Sequence, residues 1–240
     1  MTGQDKTPGL INWTFYLALT FLVVLPLSVL TVRSGAWQQG LLLYAIACFG
    51  SAVLVILSVV LLLLPRFSAW RKAIVLRALP ALPGTAILVM LFSGTPVPRI
   101  HDITTDTADP PTFSKAPEQR GESANSLEID EAVIALQQEG YPDLDTLNTD
   151  QPFDAAYNRA VQVATELGWE IYHEDRNAGV IEAVDTTAVM GFKDDIVIRL
   201  RTNAQGTLVD LRSVSRVGQS DIGANAQRIR TFFEAFQQQG

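Results

Sequence analysis

Residues 195–214 read DIVIRLRTNAQGTLVDLRSV. The segments Asp195–Thr202 and Thr207–Val214 flank Asn203-Ala204-Gln205-Gly206, which reads as two strands joined by a tight turn. Facing Thr202 with Thr207 pairs Ile198 with Leu211 and Leu200 with Val209 on one face. The other face then pairs Arg199 with Asp210, and a slip of one residue spoils both faces. This register predicts one apolar face against a core and one charged face that needs partners.

Working outward, Trp169 to Glu174 alternates as a strand, Asp175 to Gly179 is a turn, and Val180 to Asp185 is a second strand. A helix precedes them: Pro152 suits a first helical position, and Ala156, Ala160, Val163, Ala164 and Leu167 form its apolar face. Gly168 ends it with a left-handed cap. A last helix follows the hairpin, capped by Ser220 or Asp221, with Ile222, Ala226, Ile229, Phe233 and Phe236 as its apolar stripe. Helix, four strands, helix predicts an α+β domain: a four-stranded antiparallel sheet with two helices packed on one face. A shorter helix is expected over Ser126–Gln138, with Gly140 as its stop. The soluble domain then spans about 127–240. Residues 97–126, dense in Pro, Thr, Ser and Asp, read as an extended proline-rich arm or tether.

The front of the chain is of a different kind. Of 240 residues, 18 are Lys or Arg and 25 are Asp or Glu, yet up to Pro96 there is one acid, Asp5, and six bases. From Val97 onward 24 acids meet 12 bases. Between Lys6 and Arg33 lie 26 uncharged residues and between Arg33 and Arg66 lie 32 more. A helix of roughly 20 apolar residues crosses a bilayer, so 1–96 reads as a membrane region with spans at about 10–32, 41–64 and 73–94. The third carries Arg77, Pro80 and Pro83, and its alternative is a re-entrant or interfacial helix. Arg66, Arg71 and Lys72 put the second loop inside the cell. The N-terminus is then cytoplasmic, and three spans carry the C-terminal domain to the periplasmic side of a bacterial inner membrane. A cleaved signal peptide is the rival for the first span, but Ser34-Gly35-Ala36 is a poor cleavage site. The one cysteine, Cys48, falls inside the second span, so the domain has neither disulfide nor thiolate chemistry.

A set of short motifs then stands out: Ile100-His101-Asp102-Ile103-Thr104-Thr105-Asp106, Pro110-Pro111 with Phe113, Tyr141-Pro142-Asp143, Gly168-Trp169, Ile181-Glu182-Ala183, Asp194-Asp195 with Arg199, and the run from Val209 through Asp210, Asn225 and Arg228 to Arg230. Together they resemble the domain-of-unknown-function family numbered fourteen ninety-nine, over roughly Pro98 to Phe236. The resemblance implies a fold and an envelope or membrane setting. It transfers no catalytic residue.

Candidate chemistry concentrates in Arg212–Asp221. Arg212, Ser215, Arg216 and Ser220 at a helix entrance describe an anion or phosphate cradle. The competing reading has Ser220 or Asp221 capping the helix while the arginines pair with Asp194, Asp195 and Asp210. His101, Asp102 and Asp106 are too few for a metal site unless other groups converge, and local turn hydrogen bonds that dock the arm are the alternative. Asp194 and Asp195 are neighbours on a strand and so point to opposite faces, unable to serve one reacting atom. Ser213, Ser215 or Ser220 with His101 or His173 fill a triad by inventory only, without a Gly-x-Ser-x-Gly elbow. No phosphate-binding loop, dinucleotide fingerprint, haem spacing or basic stripe occurs, so no cofactor, metal or nucleic acid is expected. The expected partners are the lipid bilayer and other membrane or envelope proteins. The reading is a non-catalytic interaction or assembly module. Its alternative is an anion, phosphate or lipid-headgroup binder, or a hydrolase, using Arg212–Asp221.

Overall fold

A computed structural model describes residues 7–94 and 96–238. The chain divides into two compact units, Met1–Thr95 and Pro96–Gly240, taken here one at a time.

The first unit is three apolar helical runs. α1 spans Gly9–Arg33 and α2 spans Trp37–Leu63. The third run, Pro65–Ser93, opens with a 3-10 turn, continues as α3 (Arg71–Ala78), passes a second 3-10 turn at Leu79–Ala81 and ends as α4 (Leu82–Ser93). The break coincides with Pro80 and Pro83, which have no N–H to continue an α-helical ladder. All three runs are long and apolar enough to cross a membrane. Their mutual contacts use small residues, because between apolar helices in an apolar solvent close approach is what holds. Ala18 packs with Leu54 and Ala81, and Leu25 with Ala47 and Cys48. Gly84 lies so close to α2 that an added Cβ would come 2.6 Å from Ser51 Oγ. The large side chains point outward instead, among them Leu30, Val53, Ile56, Leu63, Met90 and Phe92.

The second unit is an α+β layer structure, and its sheet has six strands rather than the four expected. They are β1 (Asp102–Thr104), β2 (Leu147–Thr149), β3 (Glu170–Asp175), β4 (Val180–Thr186), β5 (Lys193–Asn203) and β6 (Gly206–Ser215). Every pairing is antiparallel, in the order β1-β6-β5-β4-β3, with β2 also on β6. The two additions are three residues each, too short for periodicity to reveal, and both cover the outer edge of β6. The hairpin register is the expected one: Thr202 opposite Thr207, Ile198 opposite Leu211, Arg199 opposite Asp210. Gly206, at φ 148°, is needed because a side chain there would run into the Thr149–Asp150 backbone of the β2 segment.

Two helices, α7 (Phe153–Glu166) and α8 (Ala224–Gln237), cover one face. Ala156, Ala160, Val163 and Ala164 of α7 are buried, and Gly168 at φ 81° closes that helix as expected; Pro152 is its cap rather than its first helical residue. In α8 the stripe is Ala226, Ile229, Phe232 and Phe236. Phe232 is the fully buried ring and Phe233 packs partly buried at the edge of the core, while Ile222 precedes the helix and is exposed, because α8 starts at Ala224 and its period is counted from there. The Trp169 ring stacks on Phe232 with centroids 5.4 Å apart. Two shorter helices complete the unit, α5 (Ala116–Gln119) and α6 (Glu131–Gly140), the latter capped by Asp130 accepting from Ala132 N at 2.8 Å.

The arm is extended, but it is not a free tether. It contributes β1 to the sheet and then runs on across the face that the helices leave bare. Phe232→Ala removes the ring at the centre of the aromatic stack and should cost about 3–5 kcal/mol. The check is denaturant unfolding followed by Trp169 fluorescence, in a chain whose other tryptophans are phenylalanine.

Candidate functional site

Strand alternation puts Asp195, Val197, Arg199 and Arg201 of β5, Asp210, Arg212 and Val214 of β6, and Glu182 of β4 on the face away from α7 and α8. Glu182, Asp195 and Asp210 are fully buried, and Arg212 is 1% exposed. Charges removed from water in this way must be paired and hydrogen-bonded. The arm, residues 102–127, supplies most of the partners.

Each charge has its own set. Arg212 donates from Nε and Nη2 to the two oxygens of Asp102, at 3.0 and 2.6 Å, and from Nη2 to Leu127 O at 2.9 Å. Arg216 makes the same two-pronged contact with Asp195, at 3.0 and 2.7 Å, while Arg120 Nη1 reaches Asp195 Oδ2 at 2.5 Å. Asp210 accepts from Arg199 and Arg201 at 3.2 and 2.7 Å, and both arginines also reach Asp106, at 3.0 and 2.9 Å. Glu182 accepts the backbone N–H groups of Ser114, Lys115 and Ala116 at 2.7, 3.0 and 2.8 Å. A carboxylate of the chain itself therefore fills that cluster of N–H donors.

A second cluster lies on the helix face. Arg228 Nη2 donates to Asp194 Oδ2 at 2.6 Å, Nε to Asp185 Oδ2 at 2.8 Å, and Nη1 to Ser213 Oγ at 3.1 Å and to the Asn225 carbonyl oxygen. Asn225 Nδ2 donates to Ser215 Oγ and to His101 O, both at 3.0 Å. A shallow cavity of about 360 Å³ borders this cluster, lined by Leu167, Trp169, Asp185, Gln227, Arg228 and Thr231 among others.

The Arg212–Asp221 residues therefore do not converge. Arg212 turns to Asp102 of the arm, Arg216 to Asp195 of β5 and to Gln119 O of the arm, Ser215 Oγ accepts from Asn225, and Ser220 Oγ accepts from Ile222 N at 3.4 Å. Asp221 takes the helix-entrance donors itself, accepting from Gly223 N at 2.8 Å and Asn225 N at 2.7 Å. The geometry favours capping and pairing over an open cradle: of the three acids expected, Asp195 does pair with Arg216, while Arg212 takes Asp102 and neither arginine uses Asp194 or Asp210. Asp194 and Asp195 point to opposite faces, as strand geometry requires. His101 enters through its carbonyl, which accepts from Ser215 N at 2.9 Å. Among the described residues no three His, Cys, Asp or Glu side chains group to hold a metal ion.

The match to known proteins follows this architecture. The family described as protein of unknown function (DUF1499) covers residues 102–236, from β1 to the last turn of α8. The chain belongs to that family. No curated protein matches it. The DUF1499 region thus takes in the arm, the sheet and both covering helices as one unit, with the three apolar runs in front of it.

Several members of the DUF1499 clusters escaped the sequence reading. Glu182 carries a signal, an acid between two apolar strand residues, Ile181 and Ala183. Arg120 and Asp185 carry none, because their partners lie 75 and 43 residues away in the chain, and Ser213 reads there only as a triad candidate. Tyr172 is another member that escaped it: its hydroxyl is buried with no hydrogen-bond partner among the described residues, and burial first, then Asp195 and Glu182, push its ionisation upward. It is held as a neutral phenol.

Two predictions follow from these geometries. Asp195→Ala leaves Arg120 and Arg216 without their shared carboxylate and should cost about 3–5 kcal/mol. Limited proteolysis should then cut the arm near Gly121 well before the wild type is cut. Asp221 gives a pH signature: burial raises its carboxyl above the usual range, the Asp194 charge adds to this, and the Asn225 and Gly223 N–H groups oppose it. A raised folded-state value stabilises below the unfolded one and loses that contribution as pH rises through the folded one. Asp221→Asn keeps one of the two capping acceptors and, having no proton to lose, escapes the pH-dependent loss. Its stability relative to wild type should therefore increase between about pH 4 and pH 7, measured by thermal unfolding at each pH.

Proposed function

We propose that this chain is a membrane-anchored, non-catalytic interaction or assembly module of the bacterial cell envelope. In this reading the N-terminus and the Arg66–Lys72 loop are cytoplasmic, the spans lie in the inner membrane, and the DUF1499 unit faces the periplasm. The observation that carries the non-catalytic part is the closure of the charged clusters. Arg212 and Arg216 are held by carboxylates and carbonyls of their own chain, which leaves no opening where a reacting group would meet them. An anion-binding or hydrolytic use of Arg212–Asp221 needs those arginines open.

A second observation supports an interaction surface. Ile222 has φ 55°, a left-handed conformation that a β-branched residue rarely adopts, and it is 68% exposed. Strain of this kind persists where the surroundings impose it, often at functional positions. Here it holds an apolar side chain out into solvent.

Orientation is tested with single cysteines in a Cys48→Ala background. Ser123→Cys should react with a membrane-impermeant maleimide in intact spheroplasts, and Ser68→Cys only after lysis; the reverse pattern overturns the orientation. The interaction reading is tested with the intact protein in mild detergent. A stoichiometric protein partner should co-purify, and Ile222→Asn should reduce its capture at least ten-fold. The same variant should be more stable than wild type by about 1 kcal/mol, because asparagine tolerates the left-handed region. Absence of any stoichiometric partner would sink the reading.

A further inference from the structure

The helical unit holds a cation, Arg77, that no acid among its described residues neutralises. Ile74 packs with Ile11, Leu61 and Phe67 in one layer, and Ala81 packs with Ala18 and Leu54 in the next. Arg77 lies between those layers along the third run, as Thr14 does along α1 and Ser58 along α2. Thr14 and Ser58 are buried, and their hydroxyls donate to Ile11 O at 2.9 Å and Leu54 O at 2.8 Å on their own helices. Arg77 is half-buried, and its Nη1 is buried with no hydrogen-bond partner among the described residues.

A guanidinium cannot deprotonate to escape this position. Nor does an acid among the described residues of the unit answer it, because none of residues 7–94 is Asp or Glu. The layer is five residues from the start of α1 and five from the end of α2, about 7.5 Å below the helix ends by helical rise. An arginine stem crosses that depth and brings its head to the lipid headgroup level. The same end carries Arg66, Arg71 and Lys72, all exposed, with the Arg66 guanidinium 4.5 Å from the Phe67 ring centre. Exposed Val75, Leu76 and Leu79 flank Arg77 and suit acyl chains rather than water.

We propose that the Arg66–Arg77 end of the helical unit binds the phosphate of an anionic lipid headgroup, with Arg77 as the anchor and Arg71 and Lys72 adding charge. The ligand chemistry is a phosphate-bearing anion, and the apolar flanks point to a lipid as its source. The proposal rests on the helices lying in a bilayer. Release of the chain from membranes by alkaline carbonate would defeat that premise, separately from the headgroup site.

The test uses the full chain, purified in mild detergent and offered an equimolar mixture of phosphatidylglycerol and phosphatidylcholine, with bound lipid counted by native mass spectrometry. The wild type should retain phosphatidylglycerol at least ten-fold over phosphatidylcholine. Arg77→Gln should abolish that preference while Arg77→Lys keeps most of it, which separates the charge from any general loss of packing. Should Arg77→Gln not fold, Arg71→Gln with Lys72→Gln should lower the preference several-fold. Equal retention of both lipids by the wild type, or an undiminished preference in Arg77→Gln, would overturn the proposal. Inorganic phosphate raising the melting temperature as much as phosphatidylglycerol does would overturn the lipid assignment in favour of a free anion.

Discussion

Three fully buried carboxylates on one face of a sheet set the terms for the DUF1499 unit. Glu182, Asp195 and Asp210 are removed from water by residues 102–127, and the same segment supplies their donors: Arg120 for Asp195, the Ser114–Ala116 backbone for Glu182. For Asp210 it supplies the Thr105 hydroxyl directly, at 3.5 Å, and Asp106 and Asp109, which hold Arg199 and Arg201 over that carboxylate. A buried pair adds little to stability over an apolar one, yet breaking it is costly. The consequence is that the arm has one seat. No shifted position returns each carboxylate to a guanidinium or an N–H, so the charges fix register where apolar contacts alone would tolerate sliding. The α+β fold is therefore a three-layer arrangement, with helices on the apolar face and an ordered strap on the charged one.

That division explains how much of the molecule is legible from the amino acids. The β5–β6 register is, because Ile198 with Leu211 and Arg199 with Asp210 satisfy both faces at once. The three apolar runs are as well, because length and hydropathy are local quantities. The strap is not. Its proline density reads as a tether, and nothing local says that Asp102 has Arg212 as its partner more than a hundred residues away. For the candidate site the same rule holds: strand alternation identifies the charged residues and the cross-strand pair Arg199–Asp210, but not the pairings that join distant segments. Arg216 meets Asp195 and Arg228 meets Asp194, and only tertiary structure decides which arginine goes to which neighbour of that acidic pair.

The helical unit meets the opposite condition. In the sheet every buried carboxylate has a guanidinium or a set of N–H donors against it, whereas in the helices Arg77 has no acid among the described residues of its unit. Hydroxyls in that layer are engaged with their own backbones and so answer to the helix before they answer to the arginine. Close packing through Gly84 and the alanines leaves little room for a rearrangement that would supply an acceptor. Neutralisation from the surrounding headgroups is the arrangement consistent with both facts.

The strained turn before α8 follows from the same insistence on pairing. Asp221 N donates to Ile100 O at 3.1 Å, which pins the chain on entry. Four residues later Asn225 is pinned again, its side chain bridging His101 O, Ser215 and Ser213 while its N–H donates to Asp221. Between these points the backbone must reverse in three residues, and Ile222 at φ 55° with Gly223 at φ 83° accomplishes it. Glycine meets that demand at no steric cost, isoleucine does not. An asparagine at the same position would serve the turn better, so an exposed isoleucine there has no structural rationale within the unit itself. In the proposed reading that side chain is what a partner would meet, while the arginine clusters are already occupied by their own chain.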